Sequence, residues 1–265
     1  MAPSHTTTNT TMERIILAVL LTVIASCSAK PKEQIVGGSN AQQCEFPHMV
    51  FVDIKTKNSG SLCGGTLISD KWVLTAAHCV KGDVVKVEAN FGSTHKFNAS
   101  KVIKVKQWIP HPKYRKTNTV INDVAVLELA EKVPFTKCIA PLALPNKGDT
   151  FNGTCIAVGW GKTGNEGILP DHLQKTRINV MSTSQCQKTA SGISAEQHIC
   201  VGDNKFKGKN VCGGDSGGGL VCRRKSDNAY VVAGVASYVL DCNKGLGVYA
   251  NTANFIDYIK GYMNL

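Results

Sequence analysis

The sequence is short of acidic residues, short of long apolar runs, and lacks any cysteine pair of the C-x-x-C type. Each absence narrows the choices. With 19 Asp and Glu against 30 Lys and Arg, the formal net charge is +11, which favours acidic partners. The lysines are spread along the chain, so the simplest consequence is a well-solvated basic surface, with polyanion binding as an added role. Lys101/Lys104/Lys106, Lys113/Arg115/Lys116, Lys205/Lys207/Lys209 and Arg223/Arg224/Lys225 form local groups. None is long enough for a nucleic-acid arm, so no specific nucleic-acid partner is expected. Without C-x-x-C spacing or a Cys/His cluster, no metal centre and no cofactor is expected. No internal repeat or low-complexity linker divides the chain.

Only one apolar run stands out, "IILAVLLTVIA" at residues 15–25. It is too short to span a bilayer. Arg14 precedes it and the small residues "SCSA" follow, the pattern of a secretory signal peptide. The expectation is a signal over residues 1–29, with Met12 an alternative start. The mature chain is expected to be secreted, extracellular, monomeric and free of the membrane. Of 11 cysteines, Cys27 lies in the signal and an even ten remain, a disulfide framework in a secreted chain. Asn98-Ala-Ser and Asn152-Gly-Thr are glycosylation sequons.

Beyond residue 35 the chain reads as short strands between turns. "HMVFVDI", "KWVLTA", "VVKVEA" and "DVAVLEL" lie in the first half, and "TCIAVGW", "RINVM", "HICVG" and "YVVAGVAS" in the second. Several alternate apolar with polar, the period of a half-buried strand. The fold class is therefore all-β, as barrels or a sandwich. "APLALPNKGD" best fits a connection between two halves. The tail departs from the pattern: Phe255, Ile259 and Tyr262 share one helical stripe, with Asn251 as N-cap.

The stretch "NVCGGDSGGGL" runs from Asn210 to Leu220 and contains five glycines. Gly214-Asp215-Ser216-Gly217-Gly218 fits G-x-S-x-G, which also occurs as an ordinary glycine-rich turn. In α/β-hydrolases the serine comes first, then an acid, then a histidine. All seven histidines here (5, 48, 78, 95, 111, 172 and 198) precede Ser216, so that order fails. The order His, Asp, Ser remains. His78 ends the apolar stretch "WVLTAAHC" beside a cysteine that can clamp it. Asp123 opens the apolar stretch "NDVAVLEL", where a carboxylate needs a partner. His48, His111 and His172 sit in loop-like text and read as surface residues.

"IVGG" at 35–38, "TAAHC" at 75–79, "NDVAVLEL" at 122–129, "GWG" at 159–161 and "GDSGG" at 214–218 occur in this order. Together they resemble the trypsin/chymotrypsin family of serine proteases over residues 35–265. The resemblance implies two six-stranded antiparallel β-barrels, at about 46–133 and 152–251, and a C-terminal helix at about 252–263. It implies a secreted serine endopeptidase with His78, Asp123 and Ser216 as its triad. The oxyanion hole falls to the N–H groups of Gly214 and Ser216, each such donor contributing on the order of 3 kcal/mol. Protein or peptide substrates and protein protease inhibitors are the implied partners.

The same resemblance implies pairs Cys63–Cys79, Cys155–Cys222, Cys186–Cys200 and Cys212–Cys242. Cys44 and Cys138 remain and are expected to pair. It implies a short propeptide over 30–34 and activation by a cut before Ile35, whose new amine pairs with Asp215. Family members usually carry Arg or Lys before that cut, whereas this chain has Gln34. It maps the specificity pocket onto Asn210, Val211, Gly213, Ser237, Tyr238, Val239 and Gly247. Trypsin-like members hold Asp where Asn210 stands. A neutral amide does not repay the desolvation of a cation. The expected preference is thus for uncharged residues, small to medium aliphatic first. Two alternatives stay open: trypsin-like specificity through Asp241, and a protease-fold binding protein acting through its basic surface. The loop that binds calcium in some members has only Glu88 as an acid here, too few hard oxygen ligands.

Overall fold

The computed structural model describes residues 38–162, 169–202, 215–241 and 246–263. After the two-residue strand β1 (Ser39–Asn40) come β2 (Met49–Thr56), β3 (Gly60–Leu67), β4 (Trp72–Thr75), β5 (Val84–Phe91) and β6 (Lys101–Pro110). A small hairpin of β7 (Arg115–Lys116) and β8 (Val120–Ile121) leads into β9 (Ala125–Leu129). The second half holds β10 (Thr154–Gly159), β11 (Gln174–Asn179), β12 (His198–Gly202), β13 (Gly219–Arg223), β14 (Tyr230–Asp241) and β15 (Leu246–Asn251). The described helices are short: α1 (Ala77–Val80), α2 (Thr183–Gln187) and α3 (Ile256–Met263).

Side-chain alternation explains the first barrel. In β5, Val87, Ala89 and Phe91 are buried while the residues between them are partly exposed, the period of a strand with one face inward. β9 is apolar at four of its five positions, all buried, as suits a strand packed between β4 and β6. The barrel closes in the order β2-β3-β4-β9-β6-β5. Val52, Ile54, Leu67, Leu74, Phe91 and Leu127 lie in its core.

The second sheet runs β1-β11-β10-β13-β14-β15-β12. It curls until Val180, just past β11, bridges Val201 on β12. Met181 N–H donates to Cys200 O at 2.8 Å beside that bridge. The two halves share an apolar seam of Met49, Phe51, Val158, Trp160 and Leu173, with Phe51 edge-on to Trp160 at 5.5 Å. The structure joins Cys44 to Cys138, Cys63 to Cys79, Cys155 to Cys222, and Cys186 to Cys200. Cys212 and Cys242 lie outside the described residues.

Three readings of the sequence need correction. Asn251 does not cap a helix through its side chain: it ends β15, and a 3-10 turn at Thr252–Asn254 intervenes before α3. Its amide instead donates to Ala195 O. Phe255 and Ile259 do pack into the first barrel's core, but Tyr262 is 42% exposed and rests edge-on against Tyr258. His48 is no surface residue. It is 6% exposed, and among the described residues its Nε2 has no hydrogen-bond partner.

Burial pushes the His48 pKa down to about 4 from 6.5, so between those values the unfolded chain binds the proton more readily. Its contribution to stability is full above pH 6.5 and disappears as pH falls toward 4. Between pH 6.5 and 4.5 this residue alone is expected to remove about 2 kcal/mol. Urea unfolding of the Ser216→Ala protein at the two pH values measures the loss. Adding His48→Leu is expected to flatten that slope, and an unchanged slope would assign the acid sensitivity elsewhere.

Candidate functional site

The site is built where β4, β9, β13 and β14 converge. β4 runs out through Thr75 and Ala76 into α1, a single turn that carries His78. Cys79, the next residue, is bonded to Cys63 on β3, so the turn is anchored to the barrel wall. Asp123 lies just before β9 and is 2% exposed. His78 N–H donates to Asp123 Oδ1 at 2.9 Å, and His78 Nδ1 lies 2.8 Å from Asp123 Oδ2. One carboxylate thus holds both the backbone and the ring of His78. With Nδ1 bearing its hydrogen toward the carboxylate, Nε2 is left as a base.

Ser237 on β14 donates its hydroxyl to Asp123 Oδ2. The family resemblance expects Ser237 in the substrate pocket; the structure shows it as a polar partner for the buried carboxylate. A carboxylate in such a place is expensive unless its lone pairs are used, and three donors supply that here. No sequence pattern signals the Ser237 contact, since the two residues stand 114 positions apart.

Ser216 is held by its own backbone neighbours. Its carbonyl accepts from Gly64 N–H at 2.7 Å, and Gly217 N–H donates to Ala236 O at 2.8 Å. Ala236 directly precedes Ser237. Gly217 has φ +80°, and a Cβ there would lie 2.2 Å from Thr75 Oγ1 and 2.5 Å from Gly64 O. The glycine lets the Ser216 segment press against Thr75 and Ala76, two residues before His78. Thr75 Oγ1 in turn donates to Gly64 O at 2.8 Å. The segment bearing Ser216 is therefore packed between the end of β4, which leads to His78, and the part of β14 that carries Ser237.

Asp215 is 3% exposed and accepts from Gly161 N–H at 2.8 Å. A Cβ on Gly161 would lie 2.2 Å from Asp215 Oδ2, so the "GWG" turn admits this carboxylate only as glycine. Val239 on β14 and Gly247 on β15 face each other across the sheet. Tyr238 is half-buried, with its hydroxyl 3.5 Å from Thr119 Oγ1. Gln34, Ile35, Asn210, Val211, Gly213 and Gly214 lie outside the described residues, as does the Asp241 side chain.

His78 Nε2 also lies 3.7 Å from Cys79 Sγ, and Cys63, His78 and Cys79 bring potential ligand atoms within 4.8 Å of one another. The two sulfurs are bonded to each other. They offer no thiolate, so this trio does not fit a metal. Glu88, the one acid of the stretch compared with a calcium loop, lies on β5 rather than in a loop, and pairs with Lys86 at 2.7 Å. Asn98 and Asn152 are both exposed.

Comparison with known proteins bears on the whole of this arrangement. Residues 35–259 match the family described as Trypsin. Trypsin I-P1 of Gallus gallus is 34% identical over 260 residues, covering 94% of this chain and 97% of that protein. Trypsin 5G1 of Aedes aegypti is 36% identical over 233 residues, covering 86% and 84% respectively. Venom serine protease 34 of Apis mellifera is 33% identical over 246 residues, covering 88% of this chain and 60% of that protein.

Proposed function

The chain belongs to the trypsin family and is a serine endopeptidase, and from that premise we propose that His78, Asp123 and Ser216 are its catalytic triad. The observation that carries this reading is the two-point grip of Asp123 on His78, beside a serine whose backbone is held by Gly64 and whose neighbour Gly217 is held by Ala236. Ser216 Oγ attacks the peptide carbonyl while His78 Nε2 takes its proton. The Asp123 carboxylate stabilises the imidazolium. The tetrahedral oxyanion is bound by the N–H groups of Gly214 and Ser216. His78 then protonates the leaving amine, and water releases the acyl group by the reverse sequence.

Specificity follows from Asn210, Val211 and Gly213 together with Ser237, Tyr238, Val239 and Gly247. The Val239–Gly247 cross-strand pair supports a pocket narrowed on one wall by a branched side chain and open on the other. With a neutral amide at Asn210, cleavage follows uncharged residues, small to medium aliphatics before Leu, Met and aromatics. A cleavage profile of the processed enzyme on a peptide library tests this. Sites dominated by Ala, Val and Leu are expected. Sites dominated by Arg and Lys would overturn the assignment, and their loss in Asp241→Ala would move the determinant to Asp241.

Activation in this reading is a cut before Ile35, whose α-amine then pairs with Asp215. The charge is created by proteolysis and buried against a carboxylate. Gln34 calls for an activator that tolerates glutamine, or for a cut after Lys32 and trimming of Glu33-Gln34. Secretion through the residue 1–29 signal, glycans on Asn98 and Asn152, a Cys212–Cys242 bond and inhibition by protein inhibitors complete the reading. The exposed Lys113, Arg115 and Lys116 around β7 favour an added polyanion contact, which salt would weaken.

A further inference from the structure

Asp123 is aimed by the residue before it, and that residue is held by a side chain from the other half of the molecule. Asn122 has φ +55°, a left-handed conformation that asparagine tolerates better than most residues but that still needs support. Its backbone N–H donates to Gln197 Oε1 at 2.8 Å. Gln197 Nε2 donates back to Asn122 Oδ1 at 3.3 Å. Asn122 Nδ2 donates to Lys113 O at 2.9 Å. Together these bonds fix which way both amides point. Just beyond, Val124 N–H donates to Asn122 O at 2.9 Å, so Asp123 sits at the centre of a three-residue turn and has little freedom of its own.

Gln197 is itself fastened. Its carbonyl accepts from Asn251 N–H at 3.0 Å. Asn251 Nδ2 reaches Ala195 O at 2.9 Å, and Asn254 Nδ2 reaches Glu196 O at 2.8 Å. The next residue, His198, lies 2.7 Å from Val120 O through its Nε2. The segment 195–198 is thus a clamp. It is fixed from behind by the end of β15 and the 3-10 turn, and it closes on the 120–122 strand end in front.

We propose that Gln197 is a positioning residue: through Asn122 it orients the Asp123 carboxylate against His78. The proposal rests on the triad reading above. Gln197 touches neither His78 nor the reacting atoms. Its effect is to hold both Asp123 oxygens on the His78 backbone and ring at once. Loss of the clamp lets the Asn122 peptide relax out of the left-handed region and rotates the carboxylate. The imidazole is then less well supported, although substrate is bound as before.

The test is a double-mutant cycle on processed enzyme obtained from the full chain, with enzyme concentration set by quantitative amino-acid analysis. Gln197→Met keeps the side chain's length and removes its acceptor and donor. It is expected to lower kcat about tenfold with KM unchanged, since small misplacements of catalytic groups cost this much or more. In an Asp123→Asn background the same change is expected to alter kcat less than about twofold, because the two substitutions share one route. Equal losses in both backgrounds would make Gln197 a general structural residue and overturn the proposal. So would an unchanged kcat in Gln197→Met alongside a full loss in Asp123→Asn. If Asp123→Asn itself retained full kcat, the triad reading would fall first, which separates the two failures. Should Gln197→Met not fold, Asn122→Ala probes the same link from the other side. There kcat is expected to fall at least about fivefold at constant KM, and a normal kcat would overturn the proposal.

Discussion

Ser216→Ala is expected to lower kcat/KM on peptide substrates by about 10⁶-fold, with folding intact. The hydroxyl is the only atom removed, and the peptide that carries it is held by Gly64 N–H and Ala236 O through the backbone. Neither bond involves the side chain, so the variant keeps the site's shape. Some acceleration over water survives, because the oxyanion donors and the binding pocket remain. Labelling by a fluorophosphonate is expected to vanish in the same variant. A variant that kept more than about a hundredth of wild-type activity would require another nucleophile. This result also separates an active endopeptidase from a protein that uses the same fold and its basic surface only to bind.

Asp123→Asn is expected to cost about 10⁴-fold in kcat near neutral pH, and the hydrogen bonds give the reason. The position of Oδ1 faces the His78 backbone N–H and must stay an oxygen. The new amide nitrogen therefore takes the Oδ2 position, which faces His78 Nδ1 and the Ser237 hydroxyl. An NH₂ there presents a hydrogen to Nδ1, so the ring carries its own hydrogen on Nε2. That nitrogen then cannot accept a proton from Ser216. The geometry persists while the tautomer is wrong, which predicts a nearly unchanged KM. A loss in KM rather than kcat would mean that Asp123 shapes the pocket instead of the proton path.

The strands were legible wherever one face is buried. Val87, Ala89 and Phe91 alternate with half-exposed neighbours in β5, and the dense run in β9 matches burial on both sides. β15 is not legible in the sequence, because "LGVYAN" is neither alternating nor a clean apolar run. Its Gly247 is opposed by Val239 on one side and Val201 on the other, a fact only the sheet supplies. The residue types of the site could be read from short motifs, since "AAHC", "NDVAVLEL" and "GDSGG" each carry their own local reason. The links among them could not. Ser237 to Asp123 and Gln197 to Asn122 join positions 114 and 75 apart, and nothing in either local sequence points to the other. The burial of His48 is not legible either: its ring packs against Phe46 and its carbonyl accepts from Leu67 N–H, while "FPHM" reads as a turn.

The packing of α3 sets an order on the making of this protein. Phe255 and Ile259, close to the last residues, fill the core of the barrel built from the earliest strands. Residues 46–133 leave the ribosome while that seat is still empty, and some 120 residues must follow before α3 arrives. At ordinary rates of synthesis the first barrel waits on the order of ten seconds with apolar surface uncovered. The same late segment brings Asn251 and Asn254 to the 195–197 loop, and with it the clamp on Asn122. In the Gln197 reading, a nascent chain therefore holds His78 and Asp123 well before their alignment has its full support. Asn251 and Asn254, made late, are in this way part of what holds a turn made much earlier.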